Sequence, residues 1–235
     1  MRENVSGLLV YLFDIDGTIL LTGGAGTRAF NRVFRERYGI EGAMDHVRPG
    51  GKTDPIILGE IFERAFSRAP DSTESNEIFT SYVPYLEIEV AQSNRFQMMP
   101  GAAEAVRHLA GLGVTLGVGT GNIRAAARIK LSRPGLWDLF DFGGFGDDSA
   151  DRADLIACAI GRARASAPEP IRDDEFVVVG DTPHDISAAR ACGARVVAVP
   201  TGGTDRDTLA ALEPDAVLDT LEQLPAWHAA HSPCP

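Results

Sequence analysis

Cysteine is scarce in this sequence. Its three cysteines, Cys158, Cys192 and Cys234, are far apart and odd in number, and no Cys-x-x-Cys pair occurs. This pattern argues against a disulfide framework and against a zinc site. Cys158 and Cys192 lie in predicted helices, so we expect both to be small core residues.

Long hydrophobic runs are also missing. No uninterrupted apolar stretch approaches the roughly 20 residues that span a bilayer. No positively charged start leads into an apolar segment with a small-residue cleavage site. We therefore expect a soluble, cytoplasmic protein with no membrane partner.

Positive charge is in the minority. With 22 Lys and Arg against 33 Asp and Glu, the formal net charge is −11. A general nucleic-acid binder needs a basic surface for the phosphate backbone, so we expect no nucleic-acid partner. A small anionic substrate is still compatible with this composition if cations are concentrated locally. The oligomeric state is left open between monomer and homodimer.

The sequence does have a regular alternation of short apolar runs and helical patterns. Strands are predicted over 8–13, 114–118, 176–179 and 195–199, with weaker candidates at 140–145 and 215–218. Helical composition covers 102–112, 123–131, 152–165 and 186–192. The alternation predicts an α/β fold, with a doubly wound, Rossmann-like parallel sheet between two layers of helices.

The stretch 21–95 breaks this alternation. Apolar residues at helical spacing mark two faces within it, at 30–38 and 57–65, and a third pattern covers 78–86. Pro84 should kink or divide that third helix, and no convincing strand occurs. We predict an all-helical domain at 21–95, inserted in a Rossmann-like core made of 1–20 and 96–235. The tail from Trp227 onward is expected to be frayed.

Polar residues follow three of the predicted strands. Because ligands of an open parallel sheet bind beyond the carboxyl ends of its strands, we expect these residues to converge on one site. They are Asp14 and Asp16 after the first strand, Thr120 and Asn122 after the second, and Asp181 and Asp185 after a later one.

Several carboxylates cannot share a small site as bare anions, because like charges at close range repel strongly. A cation is therefore implied, and hard oxygen ligands with room for water favour Mg²⁺ over a soft metal. Asp14, Asp181 and Asp185 are the candidate ligands, while Thr120 and Asn122 offer neutral donors to the oxygens of an anion.

This set of groups indicates phosphoryl transfer with an aspartate as the covalent nucleophile. Asp14 would attack, and Asp16 would protonate the leaving oxygen and then activate water. Gly17 permits the tight turn that directs both side chains toward the same cavity.

The order of these motifs resembles that of the haloacid dehalogenase superfamily of phosphohydrolases, in particular its phosphoglycolate phosphatase-like members. The matching residues are Asp14-Ile-Asp16-Gly17-Thr18, then Thr120, a basic residue near 152, and Gly180-Asp181-Thr-Pro-His-Asp185. The match covers essentially the whole chain, since 21–95 looks like the helical cap that this family inserts after its first motif.

The resemblance implies a role for each residue. Asp14 would be the nucleophile and a magnesium ligand, and Asp16 would be the acid/base and bind the metal through its backbone carbonyl. Thr120 would hold the phosphate with Asn122 and backbone amides such as that of Gly121. Asp181 would ligate Mg²⁺ and Asp185 would support that site. Family members with dehalogenase activity usually lack the second aspartate, so Asp16 favours phosphate chemistry.

The third motif departs from the family pattern, which commonly has a lysine beside the phosphate. By analogy with that motif Arg152 is the favoured cation here, and a guanidinium can neutralise phosphate and aspartate in a bidentate geometry. Lys130 is the alternative, although its place in "AAARIKLSRPG" is typical of a surface position on a helix.

Two interpretations are open for the segment Gly50-Gly51-Lys52-Thr53-Asp54-Pro55. It could be a helix start capped by Asp54, with Pro55 in the first turn. Lys52 and Arg48 could also project toward an anionic substrate, with Thr53 as a further substrate-binding candidate, and the two interpretations do not exclude each other. A P-loop is rejected, because its first glycine would fall on His46.

The sequence thus predicts a Mg²⁺-dependent phosphatase that hydrolyses a small phosphorylated metabolite, such as a phosphoglycolate- or sugar-phosphate-like monoester, through an aspartyl-phosphate. Three alternatives are carried. They are a β-phosphoglucomutase-like phosphomutase, a phosphonate hydrolase with Lys52 as a Schiff-base lysine, and a non-catalytic binding module.

Overall fold

The computed structural model describes residues 9–232. Predictions that involve Leu8, Cys234 and the last residues of the tail, 233–235, lie outside the described residues. Strands of the described part are β1 Val10–Phe13, β2 Leu20–Leu21, β3 Gln97–Met98, β4 Leu116–Gly119, β5 Phe142–Gly144, β6 Phe176–Gly180, β7 Arg195–Ala198 and β8 Ala216–Val217. Its α-helices are α1 Ala25–Tyr38, α2 Asp54–Phe66, α3 Ser72–Gln92, α4 Ala102–Gly111, α5 Arg124–Ser132, α6 Arg152–Ser166, α7 Pro183–Ala191, α8 Arg206–Ala210 and α9 Leu224–His231.

Six of the strands form one parallel sheet in the order β5-β4-β1-β6-β7-β8. Tyr11 and Phe13 of β1 pack into a core on one face, and Val10 and Leu12 pack into a second core on the other face. Helices cover both faces, so the predicted doubly wound α/β fold is confirmed. The two weaker strand candidates are both present, as β5 and β8.

The position of β1 between β4 and β6 determines where a ligand can bind. The chain leaves β1, forms the helical segment, and returns to β4 on one side before it reaches β6 on the other. Such a reversal of strand order opens a crevice at the carboxyl ends of the strands. The three strand ends that carry the predicted polar residues are therefore neighbours.

Helices α1, α2 and α3 share a hydrophobic core of their own. Its largest side chains include Phe30, Phe34, Phe62 and Tyr82, and Ile123 at the start of α5 also packs into it. At the base of this segment β2 pairs antiparallel with β3, an element that the sequence did not predict. The division into domains at 20/21 and 95/96 stays a prediction.

Pro84 does not divide the third helix, because α3 runs without a break over 21 residues. A proline inside a helix costs about 3 kcal/mol. One face of α3, with Ile78, Tyr82, Leu86 and Val90, is buried in the helical core. This burial offsets the cost of the proline, so tertiary packing overrides the local signal.

The expectations that the chain frays from Trp227 and that Cys158 is a core residue are wrong. The chain is helical in α9, where Trp227 is buried and the Tyr11 hydroxyl lies 2.9 Å from Nδ1 of His228, so the region does not fray at Trp227. Cys158 is exposed, because it lies off the buried face of α6, and Cys192 at the end of α7 is half-buried.

Among residues 9–232, no helix is long and apolar enough to cross a bilayer.

Candidate active site

A cavity of about 760 Å³ opens at the carboxyl ends of β1, β4 and β6, against the helical segment. The structure brings most of the predicted site residues to its wall: Asp14, Asp16, Lys52, Thr120, Gly121, Asn122, Lys130, Arg152 and Asp181. Two others, Thr53 and Asp185, are buried beside it. The predicted residues are thus neighbours in space, and their chemical roles stay predictions.

The turn after β1 depends on a glycine. Gly17 has a φ of 90°, and a Cβ there would lie 2.6 Å from Oδ2 of Asp181. Any other residue would be strained and would displace that carboxylate. The Thr18 hydroxyl donates a hydrogen bond to Oδ1 of Asp181 at 2.9 Å, which orients the carboxylate. Thr18 belongs to the first motif, but no role is predicted for it from the sequence.

Three buried carboxylates form a cluster. Oxygens of Asp14, Asp181 and Asp185 all lie within 4.8 Å of one another. Burial raises the pKa of Asp14 to about 6, although the charge of Arg152 counteracts it. Burial, with the charges of Asp14 and Asp185, raises the pKa of Asp181 to about 8. The surroundings of the cluster therefore stabilise its ionised carboxylates less well than water does.

Arg152, the first residue of α6, supplies one cation to this cluster. Its Nη2 lies 2.9 Å from Oδ1 of Asp14 and 2.6 Å from Oδ1 of Asp185. Its Nε donates a hydrogen bond to Asp185 at 2.8 Å, whereas Nη2 is not aligned with either carboxylate as a hydrogen-bond donor. One guanidinium faces three carboxylates, so full ionisation of the cluster leaves two negative charges without a compensating cation. A divalent cation with hard oxygen ligands fits that deficit.

Lys130 is not a surface residue, so that expectation is wrong. It is 5% exposed, and its Nζ lies 2.6 Å from Oδ2 of Asp16 and 2.6 Å from Oδ1 of Asn122. The amide of Asn122 donates to Asp16 and to the Thr120 hydroxyl, each at 2.8 Å. Lysine is normally exposed, and its ionic partners lie far away in sequence, which explains the error. Both candidate cations, Arg152 and Lys130, are therefore in the site.

The segment before α2 attaches the helical part to the sheet. The N-cap is Thr53 and not Asp54, because the Ile56 amide donates to the Thr53 hydroxyl at 3.4 Å. That hydroxyl also donates to the carbonyl of Ala150 at 3.0 Å. Lys52 forms an ion pair with Glu60 at 2.6 Å.

Asp54 makes two further links to the sheet side of the cavity. Its carboxylate accepts a hydrogen bond from the Ile123 amide at 2.8 Å, and its own amide donates to the Gly121 carbonyl at 2.7 Å. Burial raises the pKa of Asp54 to about 6. From the sequence, Asp54 is predicted only as a candidate helix cap, because its partners Gly121 and Ile123 lie far along the chain.

The doubly wound sheet places the motif residues at three adjacent strand ends. This is the arrangement expected for the enzyme superfamily that the motifs resemble. The family described as haloacid dehalogenase-like hydrolase matches residues 11–199. The chain belongs to this family.

Two curated relatives and one solved structure illustrate the likeness. Probable phosphatase IndB of Dickeya dadantii is 26% identical over 224 residues, which is 94% of this chain and 93% of that protein. A phosphoglycolate phosphatase of Cereibacter sphaeroides is 29% identical over 185 residues, 78% of this chain and 81% of that protein. The structure of CbbY from Rhodobacter sphaeroides in complex with phosphate superposes with a TM-score of 0.68 at 21% identity, covering 92% and 96% of the two chains.

The family match and the two phosphatase relatives confirm the predicted class of enzyme, a hydrolase of phosphate esters in this superfamily. The structural likeness to CbbY confirms the fold.

Proposed function

We propose that the protein is a Mg²⁺-dependent phosphatase of small phosphorylated metabolites, which works through an aspartyl-phosphate on Asp14. One observation carries this proposal. The carboxylates of Asp14 and Asp16 lie on one cavity wall beside different buried cations: Arg152, which Asp14 shares with Asp185, and Lys130, which pairs with Asp16. Two carboxylates in such different surroundings can serve as nucleophile and as acid/base.

In the proposed reaction, an oxygen of Asp14 attacks phosphorus while the bond from phosphorus to the alcohol oxygen breaks. Asp16 gives its proton to that leaving oxygen. In the second half, Asp16 takes a proton from a water molecule that attacks the phosphoryl group, and Asp14 is released with inorganic phosphate. Lys130 and Asn122 hold Asp16 in place for both proton transfers.

The loop after β4 would bind the phosphoryl oxygens. Thr120 is fully buried at its start, Gly121 lines the cavity, and the Asn122 side chain bonds to the Thr120 hydroxyl. Because Nη2 of Arg152 is not committed to an aligned hydrogen bond, it can donate to a phosphoryl oxygen beside Asp14. We propose that Lys52 contacts the substrate from the helical side and that Thr53 anchors this segment.

The buried carboxylates fit a Mg²⁺ ion. Asp14, Asp181 and the backbone carbonyl of Asp16 would hold it, and Asp185 would support the site. Asp185 accepts hydrogen bonds from the amide and hydroxyl of Thr182 at 3.0 and 2.7 Å and pairs with Arg152, so both of its oxygens already have partners. When bound, Mg²⁺ neutralises the repulsion between the phosphate and the Asp14 carboxylate.

Metal removal is the first test. We expect the purified protein to release inorganic phosphate from a panel that includes phosphoglycolate and hexose phosphates. Chelation with EDTA should abolish release, and excess Mg²⁺ should restore it, because the carboxylate cluster is then neutralised again. The measurement is a colorimetric phosphate assay. Release that is unaffected by EDTA would contradict the metal assignment, and silence across the panel would contradict the phosphatase.

Two of the alternatives can be distinguished from the proposed phosphatase by experiment. A phosphomutase would convert hexose 1-phosphates into isomers without phosphate release. A phosphonate hydrolase needs Lys52 as a free amine, whereas the ion pair with Glu60 engages its ammonium group. Borohydride trapping with a phosphonoaldehyde tests that alternative directly.

We propose the cytoplasm as the location and a monomer or homodimer as the assembly.

The replacement Lys130→Met tests how Asp16 is held. We expect turnover to fall about 10- to 100-fold, because Asp16 and Asn122 lose the ammonium group that joins them. Methionine is close to lysine in length and fills the buried space, so the protein should still fold. The measurements are kcat from phosphate release and Tm from calorimetry.

Arg128→Met is the matched control for this variant. Arg128 lies on the same helix, two residues before Lys130, and its side chain is exposed. It should keep wild-type kcat. Equal kcat values in the Lys130 and Arg128 variants would show that Lys130 has no part in turnover.

A further inference from the structure

A fourth strand end, that of β7, also reaches the carboxylate cluster. Residues 199–204, which follow this strand, are called the β7 loop below. At its start, the amide of Val199 donates a hydrogen bond to the carbonyl of Gly180 at 2.9 Å, which holds the loop against the end of β6. The mechanism proposed for the phosphatase assigns no role to this loop. Three of its residues line the cavity: Gly202, Gly203 and Thr204.

Thr201 links the β7 loop to the turn after β1. Its hydroxyl donates a hydrogen bond to the carbonyl oxygen of Gly17 at 2.6 Å, although the two residues are 184 positions apart. The amide of Gly17 donates to the carbonyl of Leu20 at 3.0 Å. The peptide group on each side of Gly17 therefore has a fixed partner. Because a peptide group is planar, these two bonds determine the direction of the Asp16 carbonyl, which belongs to the first of the two groups.

Gly202, the next residue of the loop, packs directly against Asp181. A Cβ on Gly202 would lie 1.8 Å from Oδ2 of Asp181 and 2.8 Å from the Cα of Gly17. A Cβ on Gly17 would in turn lie 2.6 Å from the same oxygen and 2.7 Å from the Cα of Gly202. Two backbones and a carboxylate oxygen thus meet where neither glycine leaves space for a methyl group. These contacts on Oδ2 and the Thr18 hydroxyl on Oδ1 together orient the Asp181 carboxylate.

The contacts of the β7 loop involve two of the proposed magnesium ligands, the backbone carbonyl of Asp16 and the carboxylate of Asp181. Mg²⁺ demands near-ideal octahedral geometry, so the direction of each ligand oxygen affects how tightly the ion binds. Removing a group that orients a metal ligand typically costs about 10- to 100-fold in metal affinity or activity. A hydroxyl that holds the turn after β1 is therefore expected to affect metal binding from outside the ligand set.

We propose that Thr201 is a positioning residue for the magnesium site. Through the carbonyl of Gly17 it holds the turn after β1 against Gly202, and it thereby fixes the Asp16 carbonyl and the Asp181 carboxylate. This inference rests on the Mg²⁺ site of the proposed function and extends it to the β7 loop. The Thr201 hydroxyl acts through the backbone and not on the reacting groups. Its removal weakens metal binding, while the reaction at Asp14 is retained once the metal is bound.

Thr201→Val tests this role, because valine keeps the branched shape of threonine and lacks the hydroxyl. The probe is Mn²⁺, which takes the same carboxylate and carbonyl ligands and whose free concentration is measured by electron paramagnetic resonance. We expect its dissociation constant to rise about tenfold or more. The Mg²⁺ concentration for half-maximal phosphate release should rise by a similar factor, and kcat at saturating Mg²⁺ should stay close to the wild-type value.

Two further variants make the test specific to the hydroxyl. Thr201→Ser keeps the donor and should restore most of the Mn²⁺ affinity. Thr73→Val is the matched control, since Thr73 is exposed on α3 outside the cavity, and it should bind Mn²⁺ like the wild type. A merely structural role of Thr201 would lower Tm of the metal-free protein and leave the affinity of the folded protein unchanged. Wild-type affinity in Thr201→Val, or equal weakening in the serine and valine variants, overturns the inference.

Gly202→Ala tests the contact with Asp181. The added methyl group would overlap Oδ2, so the carboxylate must turn away, and Mn²⁺ affinity should fall further than in Thr201→Val. Gly161→Ala is the control, because a Cβ there would meet no described atom within 4 Å outside the backbone of its own helix. It should bind Mn²⁺ like the wild type. Wild-type affinity in Gly202→Ala would also overturn the inference.

Metal binding without turnover separates this inference from the proposed function. If the wild type binds Mn²⁺ and Thr201→Val binds it less tightly, the inference holds even where no phosphate ester is hydrolysed, and only the phosphatase is wrong. If phosphate release needs Mg²⁺ but Thr201→Val binds Mn²⁺ like the wild type, the phosphatase stands and the inference is wrong. If the wild type does not bind Mn²⁺, the inference is overturned together with the metal site.

Discussion

Asp14→Asn should abolish phosphate release, with kcat lowered by at least about 10³-fold. Asparagine has the size and shape of aspartate, but its amide is not a nucleophile that forms an acyl phosphate. The structure predicts that the variant folds. Asp14 is buried beside Asp181 and Asp185, and burial already raises its pKa to about 6, so a neutral group there relieves repulsion. Arg152 keeps Asp185 as its partner. The measurements are phosphate release and calorimetry.

Asp138→Asn is the matched control for that variant. Asp138 makes the same chemical change possible on an exposed side chain outside the cavity. Its activity should equal that of the wild type. If Asp14→Asn is folded and still releases phosphate at the wild-type rate, then Asp14 is not the nucleophile.

Asp16→Asn should lower turnover by about 10²- to 10⁴-fold, the usual contribution of a general acid/base. The amide oxygen of asparagine can still accept from Lys130, so the local structure is retained while proton transfer is lost. The loss in kcat/KM, which reports the phosphorylation of Asp14, should be smallest for p-nitrophenyl phosphate, whose leaving group needs no proton. With that substrate the phosphoenzyme should accumulate, because water is no longer activated. Rapid quenching and intact-protein mass spectrometry would detect an added phosphoryl group on Asp14.

The comparison of leaving groups makes this prediction specific to proton transfer. A structural defect would slow alkyl and aryl phosphates by the same factor and leave no phosphoenzyme. That outcome would remove Asp16 from its proposed role, while Asp14 could still be the nucleophile. Asp14→Asn therefore tests the nucleophilic attack, and Asp16→Asn tests the proton transfers in both halves of the reaction.

Much of the sheet was predictable because its strands are short, apolar and bounded by polar residues. A buried parallel strand must be apolar along its length, so a carboxylate directly after it marks the strand end. Asp14 and Asp181 follow β1 and β6 in this way, and Thr120 follows β4. Since the carboxyl ends of parallel strands lie at one edge, their convergence needed no knowledge of distances. The relative order of the strands, in contrast, came only from the structure.

The errors about Lys130, Pro84 and the β2 to β3 ribbon share a physical cause, since each depends on partners far along the chain. Lys130 is buried only because Asp16 compensates its charge and Asn122 accepts a hydrogen bond from it. Pro84 is tolerated only because α3 packs its opposite face into the helical core. The β2 to β3 ribbon has two residues in each strand, which is too short for any periodicity. Local patterns contain no information about such compensation.

The two hydrogen bonds of Asp54 have a consequence for access to the cavity. They connect the start of α2 to Gly121 and Ile123, so the helical segment cannot move away from the phosphate loop without breaking both together. Water would replace each bond at small net cost. The Asp54 carboxylate would also regain the hydration that burial denies it, since burial is what raises its pKa to about 6. These two hydrogen bonds therefore add little net free energy to the contact between α2 and the phosphate loop, so an opening at this point costs little.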